Sequence, residues 1–216
     1  MDTETKSERL IQLGDMTVVG HWPGKMLKAL AVIADRLHPA YDEFEGTILG
    51  GSKIACLFSS LAVREFLVAI GYDDATVRGC ACYMHAIDGS GREIWSVGIG
   101  KQDENPIEGK FNGHAVCTVP SLGLLIDTTL YPAIRPQWNG ALTGMIALPY
   151  WSPTEHKVYD RPLISGLDIQ NDDLQFHIGW TDRAELQWRR STDFRRTARR
   201  AAVTQALIDR FGEWHD

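Results

Sequence analysis

The spacing of apolar residues in the first third of the chain predicts a helix. Between residues 25 and 37 the apolar positions fall three or four apart, which places them on one helix face: Leu27, Leu30, Ala31, Ala34 and Leu37. We expect this helix to end at His38, because the residue before Pro39 disfavours helical geometry. The following residues, 41–53, are rich in turn-forming residues and predict a loop.

A second helix is predicted over residues 56–70, where apolar residues occupy most of the circumference. Gly71 stands where glycine commonly ends a helix. A helix that is apolar on nearly all sides is expected at the centre of a fold. Its first residue is Cys56, which follows closely on the loop Gly50-Gly51-Ser52-Lys53.

Strand patterns dominate after residue 75. Alternating and β-branched segments predict strands over 76–84, 93–99, 113–119, 124–128 and 174–180, and a short strand at 16–19 follows a polar tail. Turn residues at 88–91 and 120–123 predict two hairpins. Five prolines between 131 and 163 predict a loop. Helices followed by an antiparallel meander indicate an α+β fold, which we take as a single domain over residues 1–216.

The C-terminal part is predicted to be an arginine-rich helical extension over about residues 182–211, with Asp182 as its N-terminal cap. Eight arginines and three acidic residues between 183 and 210 give this segment a net charge of +5, in a chain whose net charge is −6. The arginines either form a solvated face that pairs with the acidic remainder or bind an acidic partner. We expect no nucleic-acid partner, because the sequence contains no recognised nucleic-acid motif.

The chain has 216 residues, 44% of them apolar, which is enough for one well-filled core. It has no apolar run near the roughly 18 residues of a membrane span and no secretory-type N-terminal segment, so we expect a cytoplasmic protein without membrane contact. Its four cysteines are then expected to be free thiols. Cys80 and Cys82 share a strand face, but neither Cys117 nor His85 completes a usual zinc spacing, so no metal is expected.

Three residues have the chain order that a cysteine-dependent acyl-transfer site requires. Cys56 stands in the first turn of a helix, where exposed N–H groups and the helix dipole favour a thiolate and can stabilise an oxyanion. His114 and Asp127 lie on two consecutive strands, and the hairpin between them brings their ends together. The carboxylate would then orient the imidazole, and the imidazole would exchange a proton with the sulfur.

Flanking residues extend this candidate site. Gly50, Gly51 and Ser52 form an entering loop that would let a substrate approach closely and contribute to the oxyanion site. Trp138 and Trp151, in the proline-rich stretch after Asp127, either wall a substrate groove or clamp their loop by aromatic packing.

Residues 45–135 resemble the transglutaminase-like group of papain-type folds. The matching segments are Ala55-Cys56, Ala69-Ile70-Gly71-Tyr72, Thr76-Val77-Arg78-Gly79, Gly113-His114-Ala115 and Leu125-Ile126-Asp127-Thr128-Thr129. The resemblance implies a central helix that carries the nucleophile and packs on an antiparallel sheet, with a Cys56, His114 and Asp127 triad. Leu57 and Val116 differ from the bulkier residues that this group usually has there.

The resemblance implies thiol-dependent acyl transfer or hydrolysis at an amide or ester carbonyl, of protease, deamidase or transamidase type and without a cofactor. The substrate would be a protein, a peptide or a small amide or ester. A second enzyme class, the arylamine N-acetyltransferases, has the same residue order, and residues 127–136 are similar to its loop after the aspartate. The non-enzyme alternative is a binding module in which Cys56 is structural and the segment 183–210 docks an acidic partner.

Overall fold

The computed structural model describes residues 10–45, 51–100, 111, 113–134, 142–151, 157–158, 161–171, 174–183 and 186–214. Within these ranges the helices are α1 Gly24–Glu45, α2 Cys56–Ala69, α3 Thr192–Arg195 and α4 Thr197–Glu213. The strands are β1 Leu10–Leu13, β2 Met16–Val19, β3 Thr76–Asp88, β4 Glu93–Ile99, β5 His114–Val119, β6 Leu124–Asp127, β7 Met145–Pro149, β8 Lys157–Val158, β9 Arg161–Asn171 and β10 Leu174–Asp182. The predicted α+β class is confirmed.

The strands form one curled, mostly antiparallel sheet in the order β1-β2-β7-β6-β5-β3-β10-β9-β8. Along one edge of β3, its first residues pair with β5 and its later residues pair with β4. The exception to antiparallel pairing is β2, which runs parallel to β7 with Met16 opposite Met145. This pairing adds the β1–β2 hairpin to the sheet as one of its edges.

Helices α1, α2 and α4 cover one face of the sheet and enclose its larger core. This core includes Leu30 and Ile33 of α1, Phe66 of α2 and Leu207 of α4, none of which is measurably exposed. Because α4 packs on both α1 and α2, the C-terminal helix is part of the main core and not a separate extension. The opposite face of the sheet encloses a second core that contains Cys80, Cys82 and Trp180.

The structure corrects the predicted end of the first helix. Helix α1 continues through Pro39 to Glu45, although proline cannot donate the helix hydrogen bond to residue 35. Tertiary contacts compensate, because Tyr41 packs edge-on against Phe58 with the ring centroids 4.8 Å apart. Arg36 also donates two hydrogen bonds, of 2.6 and 2.7 Å, to the Glu43 carboxylate.

Three further predictions about elements are wrong. The polar tail contains β1, which pairs with β2. The predicted loop over 131–163 contains β7, an internal strand between β2 and β6, together with β8 and the beginning of β9. Asp182 ends β10 instead of capping a helix, and the cap of α3 is Ser191, whose hydroxyl accepts a hydrogen bond from the Phe194 backbone N–H. Helix α2, its closing Gly71 and the two hairpins are as predicted.

Candidate active site

Cys56 is the first residue of α2, and a 3-10 turn over Gly51–Ile54 leads into it. The N-terminal cap position belongs to Ala55, which makes no side-chain capping bond to the first turn. The first intrahelical bond runs from the Ser59 N–H to the Ala55 carbonyl, at 3.0 Å. The N–H groups of the first turn therefore have no partner within the helix and present partial positive charge beside the thiol.

His114 and Asp127 form a short, fully buried pair. The His114 Nε2 donates to the Asp127 Oδ2 at 2.6 Å, and the two side chains are 1% and 0% exposed. The pairing of β5 with β6, with Cys117 opposite Ile126, brings the first residue of β5 beside the last residue of β6. The expectation that the hairpin joins these two residues is therefore met.

The thiol of Cys56 lies next to this pair. Its Sγ is 3.7 Å from the carbonyl oxygen of Gly113, the residue before His114. Burial lowers the pKa of His114, but the charge and hydrogen bond of Asp127, together with the hydrogen bond and charge of Cys56, outweigh burial and raise the pKa to about 10. Since Nε2 is committed to Asp127, Nδ1 is the nitrogen left to face the sulfur.

Asp127 uses both of its oxygens. Besides His114, the Oδ2 atom accepts a hydrogen bond from the Trp180 Nε1 at 2.8 Å, and the Oδ1 atom accepts one from the Thr129 backbone N–H at 3.0 Å. Three donors fix this buried carboxylate in one orientation. Sequence reasoning missed Trp180, because nothing in the pattern of β10 distinguishes it from the six other tryptophans.

Gly100 lies so close to the backbone of His114 that no side chain fits between them. Its φ is +78°, and a Cβ placed there would lie 2.6 Å from the His114 nitrogen and 2.9 Å from the His114 Cβ. A side chain at position 100 would therefore displace the imidazole. The only sequence signal was the pair Gly98 and Gly100, which does not indicate such a contact.

The other three cysteines are buried free thiols. Cys80 stands opposite His114 in the β3–β5 pairing, and burial with the charges of Asp127, Cys82 and Cys56 raises its pKa well above the usual range. Burial and the charge of Asp127 do the same for Cys82, and burial raises the pKa of Cys117 to about 12. Cys56 is partly exposed, which distinguishes it from all three.

The flanking residues of the predicted site have different outcomes. Gly51 and Ser52 form part of the turn before Cys56, whereas Gly50 and Trp138 lie outside the described residues. Trp151 is not brought to Asp127: it follows the end of β7 that pairs with Leu124, and its ring lies against Gly166 of β9. In the described ranges, no group of three metal-ligating side chains is placed to hold an ion.

The described helices include none with both the length and the apolar content that crossing a bilayer requires. The chain therefore has an α+β fold in which the thiol of Cys56, at the start of α2, lies beside the buried pair of His114 and Asp127. Comparison with protein-family models, with curated protein sequences and with solved structures gave no match.

Proposed function

We propose that this chain is a thiol-dependent acyl-transfer enzyme of papain-like, transglutaminase-like type. Cys56 is the nucleophile, His114 the general acid and base, and Asp127 the residue that orients His114. The observation that carries the proposal is the buried His114 ring, which interacts with Asp127 through Nε2 and with the Cys56 thiol. The packing of α2 on an antiparallel-rich sheet, with Cys56 at its first position, supports the same class.

In the first step His114 takes the proton of the Cys56 thiol, and the resulting thiolate attacks the carbonyl carbon of an amide or ester. The S–C bond forms while negative charge gathers on the carbonyl oxygen, where N–H groups of the first turn of α2 can donate to it. The imidazolium of His114 then transfers its proton to the leaving nitrogen or oxygen. The amine or alcohol departs and leaves a thioester on Cys56.

In the second step a water or an amine attacks the thioester. His114 accepts the proton of the attacking group, the new C–O or C–N bond forms, and the sulfur departs as a thiolate. Water gives hydrolysis or deamidation, and an amine gives transamidation. Asp127 keeps the Nδ1 side of the ring directed at the sulfur throughout, because its hydrogen bond to Nε2 persists. No step needs a metal or a redox cofactor.

Alkylation of the native protein with iodoacetamide, followed by peptide mapping, tests the nucleophile. We expect rapid and selective modification of Cys56, because the other three thiols are buried and their pKa values are raised. The Cys56→Ser variant should fold normally and remain unmodified. Modification of Cys80, Cys82 or Cys117 in its place, or an inert native protein, would contradict the proposal and favour the binding-module alternative.

Turnover of p-nitrophenyl esters tests the chemistry and the acyl acceptor. A burst of nitrophenolate equal to the amount of enzyme is expected, and mass spectrometry should detect the acyl group on Cys56. His114→Gln should slow acylation by at least about a hundredfold. The reaction is then repeated with added primary amines, with arylamines and in water alone, and the product of each reaction identifies the acyl acceptor. Hydrolysis that survives Cys56→Ser unchanged would refute the mechanism.

A further inference from the structure

The arginine-rich segment contributes to a groove that shares Val77 and Trp188 with the hydrophobic cluster next to Cys56. This groove, the arginine groove, encloses about 320 Å³ between the first residues of β3 and the segment after β10. Its charged residues are Arg78, Asp182, Arg183 and Arg189, and its aromatic residues are Tyr150 and Trp188. Three arginines against one aspartate give it a positive formal charge in a chain whose net charge is −6.

Most of the groove is rigidly built. Arg78 donates a hydrogen bond to the Tyr150 hydroxyl, and its Nε lies 3.4 Å from the Asp182 Oδ1. Arg183 is 8% exposed, and its backbone N–H donates to the Gly79 carbonyl at 3.0 Å. Arg189 is exposed, and its guanidinium carbon lies 5.2 Å from the centroid of the Trp188 ring. Arg78 and Arg183 are therefore held in place, whereas Arg189 is solvent-exposed beside Trp188.

Two contacts connect the groove to the candidate site. Trp188 packs in the hydrophobic cluster of Leu57 and Ala115, and Cys56 packs against the same cluster. Gly79 lines the groove, and the next residue, Cys80, stands opposite His114 in the β3–β5 pairing. The groove and the Cys56 thiol therefore adjoin the same hydrophobic cluster.

We infer that the arginine groove binds a carboxylate carried by the acyl substrate, so that the enzyme prefers acidic substrates. The inference rests on the proposed function of Cys56. Guanidinium groups bind carboxylates through paired, charge-assisted hydrogen bonds, and a volume of about 300 Å³ is at the lower end of small-ligand sites. The acidic partner anticipated for the segment 183–210 is, on this inference, the substrate itself.

Matched electrophiles test this inference without knowledge of the natural substrate. The probes are N-chloroacetyl derivatives of glycine, β-alanine and γ-aminobutyrate, each used as the free carboxylate and as its uncharged primary amide. In every case the Cys56 sulfur displaces chloride and forms a thioether, so the two members of a pair differ only in charge. The ratio of their rate constants at Cys56 is divided by the same ratio for glutathione.

For at least one spacer length, we expect the carboxylate probe to be favoured about tenfold, the factor that one hydrogen bond to a charged group supplies. The preference should decrease with added salt. Arg189→Gln, at an exposed position, should remove most of this preference for the carboxylate probe. Arg190→Gln is the matched control, because it removes the same charge from an exposed residue that does not line the groove.

A normalised ratio near one at every spacer length would overturn the inference. An equal loss in Arg189→Gln and Arg190→Gln would also overturn it, because the preference would then be a property of the general field. Failure of the proposed function gives a different result, since Cys56 would then react with neither the carboxylate probe nor the amide probe. In that case the inference falls with the function on which it rests.

Discussion

At the scale of single residues, Asp127 determines the geometry of the site. One carboxylate oxygen accepts from both His114 and Trp180, and the other accepts from the backbone of Thr129. A buried carboxylate that loses one of its donors has less compensation for leaving water. The indole of Trp180 is therefore a positioning group for the imidazole and also a source of stability.

Substitution of Trp180 by Phe tests this role. We expect Trp180→Phe to lower the free energy of unfolding by about 2 kcal/mol, the value of a hydrogen bond to a charged group, and to slow alkylation of Cys56 several-fold. Trp22→Phe is the control, because the Trp22 indole donates to the neutral Val19 carbonyl at 3.1 Å. It should cost about 1 kcal/mol and leave the alkylation rate unchanged. Equal alkylation rates in both variants would exclude the positioning role.

Gly100 provides a second test at this scale. Gly100→Ala places a methyl group against the backbone of His114. Gly91 has a similar positive φ, but Gly91→Ala places its methyl group where no atom lies within 4 Å. Both variants carry a backbone strain of about 1–2 kcal/mol. Only Gly100→Ala should also reduce Cys56 alkylation, by about tenfold or more, because it displaces the imidazole. Thermal denaturation and alkylation rates measured together separate the two effects.

At the scale of elements, α4 supports the helix that carries Cys56. The Arg200 side chain is buried, its Nε lies 2.6 Å from the Glu65 Oε1 of α2, and it also donates to the carbonyls of Asp193 and Phe194. One guanidinium thus joins α2, α3 and α4. The arginine-rich segment therefore includes one structural arginine in addition to those that line the arginine groove.

Two arginines of α4 give contrasting predictions. Arg200→Gln should destabilise the fold by about 3 kcal/mol, because it leaves the partly buried Glu65 carboxylate unpaired. Arg210→Gln should cost less than about 1 kcal/mol, since Arg210 and its partner Asp35 have 40% and 50% exposed side chains. Urea denaturation of the two variants measures the difference. A similar cost for both would mean that the Arg200 contact contributes no more than a surface ion pair.

Elements with a strong local signal were predictable from the sequence, and those created by tertiary contacts were not. Helix α2 has both a nearly continuous apolar pattern and a terminal glycine. The continuation of α1 through Pro39 depends on contacts with α2, which no local pattern contains. Strand β7 has prolines on both sides of it in sequence, and its place in the sheet comes from pairing with β2 and β6.

The same distinction separates the site residues that were predictable from the sequence from those that were not. The chain order of Cys56, His114 and Asp127 predicted their association, because a helix start and one hairpin are local features. Trp180 on β10 contacts Asp127, and Gly100, the residue after β4, contacts His114, so both act from other parts of the sequence. Their roles follow from the register of the sheet, which the sequence pattern alone does not determine. Trp151, which did attract attention as an aromatic residue, lies elsewhere.

At the scale of the whole molecule, two buried histidines give opposite pH dependences. Burial lowers the pKa of His38 to about 4, although its hydrogen bond with the Thr128 carbonyl acts in the other direction. Lys53 lowers this pKa further, and Asp42 and Asp15 raise it. His38 therefore contributes stability that is present above pH 6.5 and is lost as the pH falls towards 4. His114, with a pKa of about 10, contributes stability that is present below pH 6.5 and is lost as the pH rises towards 10.

We therefore expect the free energy of unfolding to be greatest near pH 6.5 and to fall on both sides. The acid decrease from His38 should be on the order of 3 kcal/mol by pH 4. His38→Gln should flatten the curve between pH 4 and 6.5, and His114→Gln should flatten it between pH 6.5 and about 8, below the range in which the three buried thiols ionise in the unfolded chain. Denaturation curves at several pH values measure the decrease in the free energy of unfolding on both sides of the maximum. The Asp88 carboxyl, whose pKa is about 2, acts only below this range. An unchanged decrease between pH 6.5 and 4 in His38→Gln would show that His38 is not its cause.

The pairing of β2 with β7, which is distant in sequence, has a consequence for biosynthesis. Cys56 leaves the ribosome before β7, the strand that pairs with β2, and Trp180 and the covering helix α4 emerge later still. Contacts between such distant parts of a chain form slowly and late. A nascent polypeptide therefore carries the Cys56 thiol before its proposed proton acceptor is ordered, and the site is complete only after Trp180 and α4 have emerged.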